Sequence, residues 1–252
     1  MKLYEEINKN RREYFATASK KEKFKYIMDY YGFRTIVALI VLTIIIITVV
    51  KSCTAPDVIL NGTFINLSQY GRTHVAAELE ERFLKDQKID SSEFTVSFGN
   101  SLIFSSTDVE TTSASYQALA AQAAAGTLDF IVSSPDSVMT YAYEGLFVDL
   151  TTVLSKEQIE MYEPYFLYID KEVAIQKEDM TLSSDEIFEE NYPDCRKPEE
   201  MKKPVPVLID LSQSKTIKDL YNAKKIDLCY GIVNLGENKD NAIIFLDYIM
   251  KK

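Results

Sequence analysis

Side chains able to do covalent or metal chemistry are scarce in this 252-residue chain. One histidine, His74, excludes any two-histidine metal motif, and it stands in the first turn of a predicted helix with no nucleophile signature beside it. No Gly-x-Ser-x-Gly elbow, phosphate-cradling glycine loop or His-Glu-x-x-His pair occurs. Asp185, Glu186, Glu189 and Glu190 lack the alternating order of a calcium loop and read as a solvated face. Cys53, Cys195 and Cys229 include no pair with zinc-ribbon spacing. A bridge between Cys195 and Cys229 would close a loop of about 35 residues, worth roughly 3–4 kcal/mol. It requires Cα atoms within ~7 Å, which spacing alone does not decide. Two sequons, Asn61–Gly62–Thr63 and Asn66–Leu67–Ser68, matter only in a eukaryotic secretory pathway and read as chance. The chain is therefore read as non-enzymatic, with no catalytic residue, no metal site and no cofactor.

The elements that must position any other function divide at one segment. Thr35 to Val50 is a run of 16 uncharged residues, twelve of them Ile, Val or Leu. Insertion scales give such a run about 4–7 kcal/mol in favour of the bilayer. Its helical length of about 24 Å is short of a ~30 Å hydrocarbon core, and Phe33 with the stems of Arg34 and Lys51 makes up the difference. A cleaved signal peptide has a short basic leader, whereas 34 residues precede this run. Ser52–Cys53 faintly resembles a lipoprotein processing site, but Lys51 fits that pattern poorly, so Cys53 reads as a juxtamembrane thiol.

Charge sets the orientation. Residues 1–34 carry nine Lys/Arg against five acids, and residues 51–252 carry 19 against 33. Positive flanks stay inside, so the expected arrangement is a cytoplasmic segment (1–32), a single transmembrane helix (33–52) and an extracellular domain (56–252) at the plasma membrane. A net charge of −10 argues against a nucleic-acid partner. The cytoplasmic part reads as two short helices. The second starts at the Ser19–Lys20–Lys21–Glu22 capping box, with an apolar face (Phe24, Tyr26, Ile27, Tyr30, Tyr31) ringed by lysines that suits an anionic leaflet.

Beyond the anchor, strand and helix patterns alternate. Strands are expected at Asp57–Asn66, Phe94–Phe98, Leu128–Ser133, Pro204–Leu211 and Asp227–Asn234. Helices are expected at Thr73–Leu84, Val109–Ala125 (closed by Gly126), Pro135–Tyr143, Lys156–Tyr162, Ser214–Asn222 and Asn238–Lys251. Residues 169–203, rich in charge, read as a surface excursion with at most a short helix at Ser184–Glu190. The pattern predicts an α/β domain with a mostly parallel sheet covered by helices.

Three stretches in this region resemble the type II periplasmic-binding-protein-like fold of extracellular solute-binding proteins. They are Ala125–Gly126–Thr127–Leu128–Asp129–Phe130–Ile131–Val132, then Gly145–Leu146–Phe147–Val148–Asp149–Leu150, then Gly231–Ile232–Val233–Asn234 with Asn241–Ala242, Phe245–Leu246 and Tyr248. Phe24–Lys25–Tyr26–Ile27–Met28–Asp29–Tyr30–Tyr31 before the anchor is similar to membrane proteins of Gram-positive clostridial bacteria that carry such a domain. Members with a full ligand cleft have two lobes. Residues 56–252 are too few for both, so the resemblance implies one lobe with the second reduced or missing.

Ligands of open α/β sheets bind beyond the carboxyl ends of strands. That rule points to Asn66, Ser68 and Tyr70 after the first strand, and to Ser133, Ser134 and Asp136 where a helix begins. Tyr141, with Tyr143, would supply an aromatic wall. The expected function is a single-pass, membrane-anchored, solute-binding-like protein whose partners are the lipid bilayer and a small-molecule ligand or a membrane protein. The alternative is a structural or regulatory interaction protein of a membrane complex that has lost ligand binding.

Overall fold

The computed structural model describes residues 9, 16–67, 74–105, 109–183, 192–222 and 225–251. Two compact units divide the chain, Met1–Ala55 and Pro56–Lys252.

The first unit is dominated by helix α1, Lys20–Thr54. Ser19 begins it as the sequence implies: its hydroxyl accepts from Glu22 N (3.3 Å) and the Glu22 carboxylate accepts from Ser19 N (2.8 Å). Inside α1, Gly32–Val50 is long and apolar enough to cross a membrane. Its Thr43 and Thr48 hydroxyls donate to Leu39 O and Ile44 O, so these side chains leave no polar hydrogen unpaired. The expected juxtamembrane helix and the span are one 35-residue rod, about 52 Å long. The second short helix expected from Ser19 is therefore not separate from the apolar run; one helix holds both. The helix expected before it falls almost wholly outside the described residues, as does the side chain of Cys53.

The second unit is a six-stranded sheet sandwiched between helices. In chain order it runs β1 (Asp57–Phe64), α2 (Val75–Asp86), β2 (Phe94–Gly99), α3 (Val109–Ala124), β3 (Phe130–Ser133), α4 (Pro135–Tyr143), α5 (Leu150–Val153), α6 (Lys156–Tyr162), β4 (Phe166–Asp170), α7 (Lys171–Ser183), β5 (Pro204–Asp210), α8 (Lys215–Leu220), β6 (Cys229–Ile232) and α9 (Lys239–Lys251). The strand order is β2-β1-β3-β6-β5-β4. β1 pairs in parallel with β2 and β3, while β3–β6, β6–β5 and β5–β4 are antiparallel. The sheet is therefore mixed, not mostly parallel. The connection from β5 to β6, residues 211–228, holds the short helix α8 and brings the chain back antiparallel.

A second correction concerns residues 169–203. This stretch supplies the end of edge strand β4 and the whole of α7, where the sequence reads as a surface excursion. The proposed short helix at Ser184–Glu190 lies outside the described residues.

Alternate residues of β3 face opposite sides, and each side has its own core. Phe130 and Val132 pack with Phe64, Phe98, Tyr230 and Phe245 under α2, α8 and α9. Ile131 packs with Leu119, Val138, Met139, Phe147 and Val207 under α3 and α4. Phe130 is stacked on Phe245 (centroids 4.8 Å) and edge-on to Phe64 (5.8 Å). It fits only because its neighbour on β1 is Gly62, where a Cβ would land on the Phe130 ring. Gly126 ends the alanine-rich α3 at φ 68, the left-handed closure the sequence implies.

Candidate ligand-binding site

Of the seven residues expected at the carboxyl edge, Ser68 and Tyr70 lie outside the described residues. Asn66 and Ser133 follow neighbouring parallel strands and come to one edge. There, however, the Asn66 side chain is occupied: its Nδ2 donates to Phe104 O (3.1 Å) and its Oδ1 accepts from Phe104 N (2.8 Å), pinning the 102–104 segment. The Ser133 hydroxyl is 1% exposed and has no hydrogen-bond partner in the structure. Ser134 shares a 2.7 Å hydrogen bond with Ser137 in the first turn of α4, and Asp136 is exposed on that same turn. Tyr141 stands further along α4 against Tyr116 (centroids 5.6 Å), which itself packs on Phe104 (4.4 Å). Burial, then the neighbouring Tyr116 and Glu144 charges, push the Tyr141 phenol up to about 12.

The bridge between Cys195 and Cys229, which spacing alone leaves open, is absent. Both thiols are free and buried, and Cys229 Sγ donates to Ser133 O (3.3 Å).

A cavity of about 600 Å³ opens at the other edge of the sheet, within the range of small-molecule sites. Its floor is Phe147, Ile169, Val205 and Val207, and its walls are the end of α4 and one face of α7. The carboxyl-end rule did not find it because β4 and β6 run antiparallel to their neighbours β5 and β3. Their own carboxyl ends, Ile169 and the chain leading to Asn234, arrive at this edge.

Asp170 holds these walls together. Its buried carboxylate accepts from Glu172 N (3.0 Å) at the start of α7 and from Lys202 N (2.8 Å) and Lys203 N (3.1 Å) leading into β5. Its own N–H donates to the Tyr143 hydroxyl on α4 (3.1 Å). Burial pushes the Asp170 carboxyl up, but the bonds from Lys202, Glu172 and Lys203 outweigh it and leave it below its ordinary value. A lowered folded-state pKa gives stability that is present above the unfolded value near 3.8 and lost as pH falls through the folded one. Asp170→Asn is expected to be less stable than the parent at neutral pH by about 1.5–3 kcal/mol, since a charged acceptor for three N–H groups is lost. Urea melts at stepped pH should show the gap closing below about pH 4; a gap independent of pH would refute the assignment.

A cation lines the mouth. Lys177 Nζ on α7 donates to Glu144 Oε1 (2.9 Å) at the end of α4 and to the Tyr192 hydroxyl (3.0 Å). It also lies 5.7 Å from the Tyr192 ring centroid, and that ring stacks on Tyr143 (4.1 Å, 11°). Burial disfavours the lysine charge, but the bonds to Glu144 and Tyr192 prevail and raise its pKa. None of Lys177, Glu144, Asp170 or Tyr192 stands out in the sequence as a site residue. One usable signal exists: Asp170 two residues before Glu172, ahead of Val173–Ala174–Ile175, has the spacing of a helix N-cap.

The three stretches that carry the family resemblance form one bonded unit. Val233 N donates to Asp129 O (2.8 Å), Asn234 N donates to Leu146 O (2.8 Å) and Val148 N donates to Ile232 O (3.0 Å).

No family model matches the chain, and no curated protein matches it. Among solved structures, the substrate binding domain of a putative molybdenum ABC transporter from Clostridium difficile is similar over 76% of this chain and 91% of that one, with 13% identity and a TM-score of 0.30. A likeness of that size transfers neither a site nor a ligand. What the fold and cavity define by themselves is a mixed α/β domain with a ligand-sized pocket at one sheet edge.

Proposed function

We propose that this chain is a single-pass membrane protein whose α/β domain, outside the cell, binds a small molecule without transforming it. The observation that carries this reading is the cavity of about 600 Å³, with an apolar floor and charged groups around it, in a domain joined to one apolar helix. The resemblance of residues 125–132, 145–150 and 231–248 to solute-binding proteins points the same way. The carboxyl edge with Asn66, Ser133, Ser134 and Asp136 is a second place for contact on the same domain, and Tyr141 lines a smaller cavity of about 270 Å³ adjoining the first at Glu144, Gly145 and Asn234.

Thermal melts of the full chain in nanodiscs, against amino acids, sugars, peptides and small apolar acids, amines and alcohols, test the reading. A ligand present at 100 times its Kd contributes about 2.7 kcal/mol, a rise in Tm of roughly 5–10 °C for a domain of this size. Ala174→Phe, which fills the cavity from α7, should abolish that rise. A flat profile across the library removes the binding function.

The alternative, an interaction protein of a membrane complex, draws on another face. Ile244 is half exposed and lines a groove of about 440 Å³ with Ile59, Phe83 and Ile89. Purification in mild detergent with a stoichiometric integral-membrane partner, coupled with a flat ligand profile, would favour it.

A further inference from the structure

We infer that the molecule held in the large cavity is a monocarboxylate, whose charged group takes the place of Glu144 on Lys177 while its apolar body lies on Phe147, Ile169, Val205 and Val207. The inference rests on the reading of this cavity as a binding site and names the class of its ligand.

The two partners of the ion pair are not equivalent. The Lys177 side chain is 11% exposed and the Glu144 side chain 49%. Lys177 is also held by the Tyr192 hydroxyl and lies beside its ring, and Tyr192 is in turn stacked on Tyr143. Moving the lysine dismantles that arrangement. Releasing Glu144 returns a half-exposed carboxylate to water, where it is well solvated. An incoming acid therefore exchanges one carboxylate for another on a fixed cation, with every buried group still paired. An incoming amine would compete with Lys177 for Glu144 instead of taking a place on the fixed cation. An uncharged ligand gains the floor and nothing at the mouth.

The charge of the lining narrows the class further. Lys171 and Lys177 face Glu144, Asp149 and Glu178 around the cavity, an excess of one acid. A dianion such as a phosphate monoester would place a second negative charge against that excess among the described lining residues, which a monoanion does not.

Calorimetry on the full chain in phosphatidylcholine nanodiscs, with empty nanodiscs subtracted, tests this with three probes of one shape: 4-phenylbutyrate, 4-phenylbutanol and 4-phenylbutylamine. The acid should bind about tenfold or more tighter than the alcohol and the amine, the factor expected from a hydrogen bond to a charged group. Lys177→Met should erase the preference for the acid over the alcohol, and a cooperative circular-dichroism melt of the variant shows that the fold persists. Glu144→Gln should tighten the acid alone, because its competitor is gone. If alcohol or amine binds as well as the acid, the carboxylate assignment fails and the cavity stands as a binding site. If acid binding survives Ala174→Phe, it occurs elsewhere and the assignment is overturned. If none of the three binds, the reading of the cavity falls and the inference with it.

Discussion

Asp129→Ala is expected to destabilise the α/β domain by roughly 3–5 kcal/mol, since three N–H donors lose their shared acceptor at about 1–3 kcal/mol each. Asp129 is 1% exposed and opens β3 in the middle of the sheet. Its carboxylate accepts from Asn61 N (2.7 Å) on β1, from Asn238 N (2.9 Å) just before α9, and from Asn238 Nδ2 (3.2 Å). Its backbone is bonded on both sides as well, donating to Asn61 O (2.7 Å) and accepting from Val233 N (2.8 Å). One side chain thus ties the parallel half of the sheet, the antiparallel return and the last helix. Alanine leaves three donors without their acceptor at a part-buried place. Tm should fall by about 6–20 °C in circular-dichroism melts of the full chain. Asp129→Asn keeps one acceptor but turns an NH2 towards the backbone donors, so it should fall between parent and alanine. A loss below about 1 kcal/mol for alanine, the scale of an ordinary surface change, contradicts this role.

The second large effect is at the membrane. Val41→Arg combined with Ile45→Arg puts two charges on one face of the middle of α1, one helical turn apart. Each exchange costs about 3–4 kcal/mol near the centre of a span. Together they match the 4–7 kcal/mol by which the run favours the bilayer. The parent should stay in the membrane pellet after alkaline carbonate, and the double variant should move to the soluble fraction. Protease added to whole cells should digest the parent's α/β domain. A parent that washes out of the pellet, or a domain shielded from external protease, defeats the anchored arrangement.

Much of the architecture is legible along the chain because it is local. The capping box at Ser19 starts α1, Gly126 closes α3 in the left-handed region, and Pro135 opens α4, each through forces that act within a few residues. The five expected strands form at their places for a similar reason, since a run such as Pro204–Asp210 is too apolar to lie outside a core.

Strand direction is not local. An intervening helix lets the chain re-enter the sheet from either end, and whether β5, β6 and β4 run with or against their neighbours depends on which pairing buries both faces at once. The same holds for α7. Lys171–Ser183 has no marked apolar period, and it is a helix because Asp170 caps it and Val173 and Ala174 meet the core. The binding site followed those two decisions. Applied to an all-parallel sheet, the carboxyl-end rule leads to Asn66 and Ser133; the antiparallel β4 and β6 carry their ends to the opposite edge, where α7 closes a cavity around Lys177. The sequence by itself determined an apolar rod, a charge asymmetry and an alternation of strands and helices, because composition and short-range periodicity settle those. Only the tertiary structure decided the sense of three strands and the company of one lysine, because both arise from contacts between residues far apart in the chain.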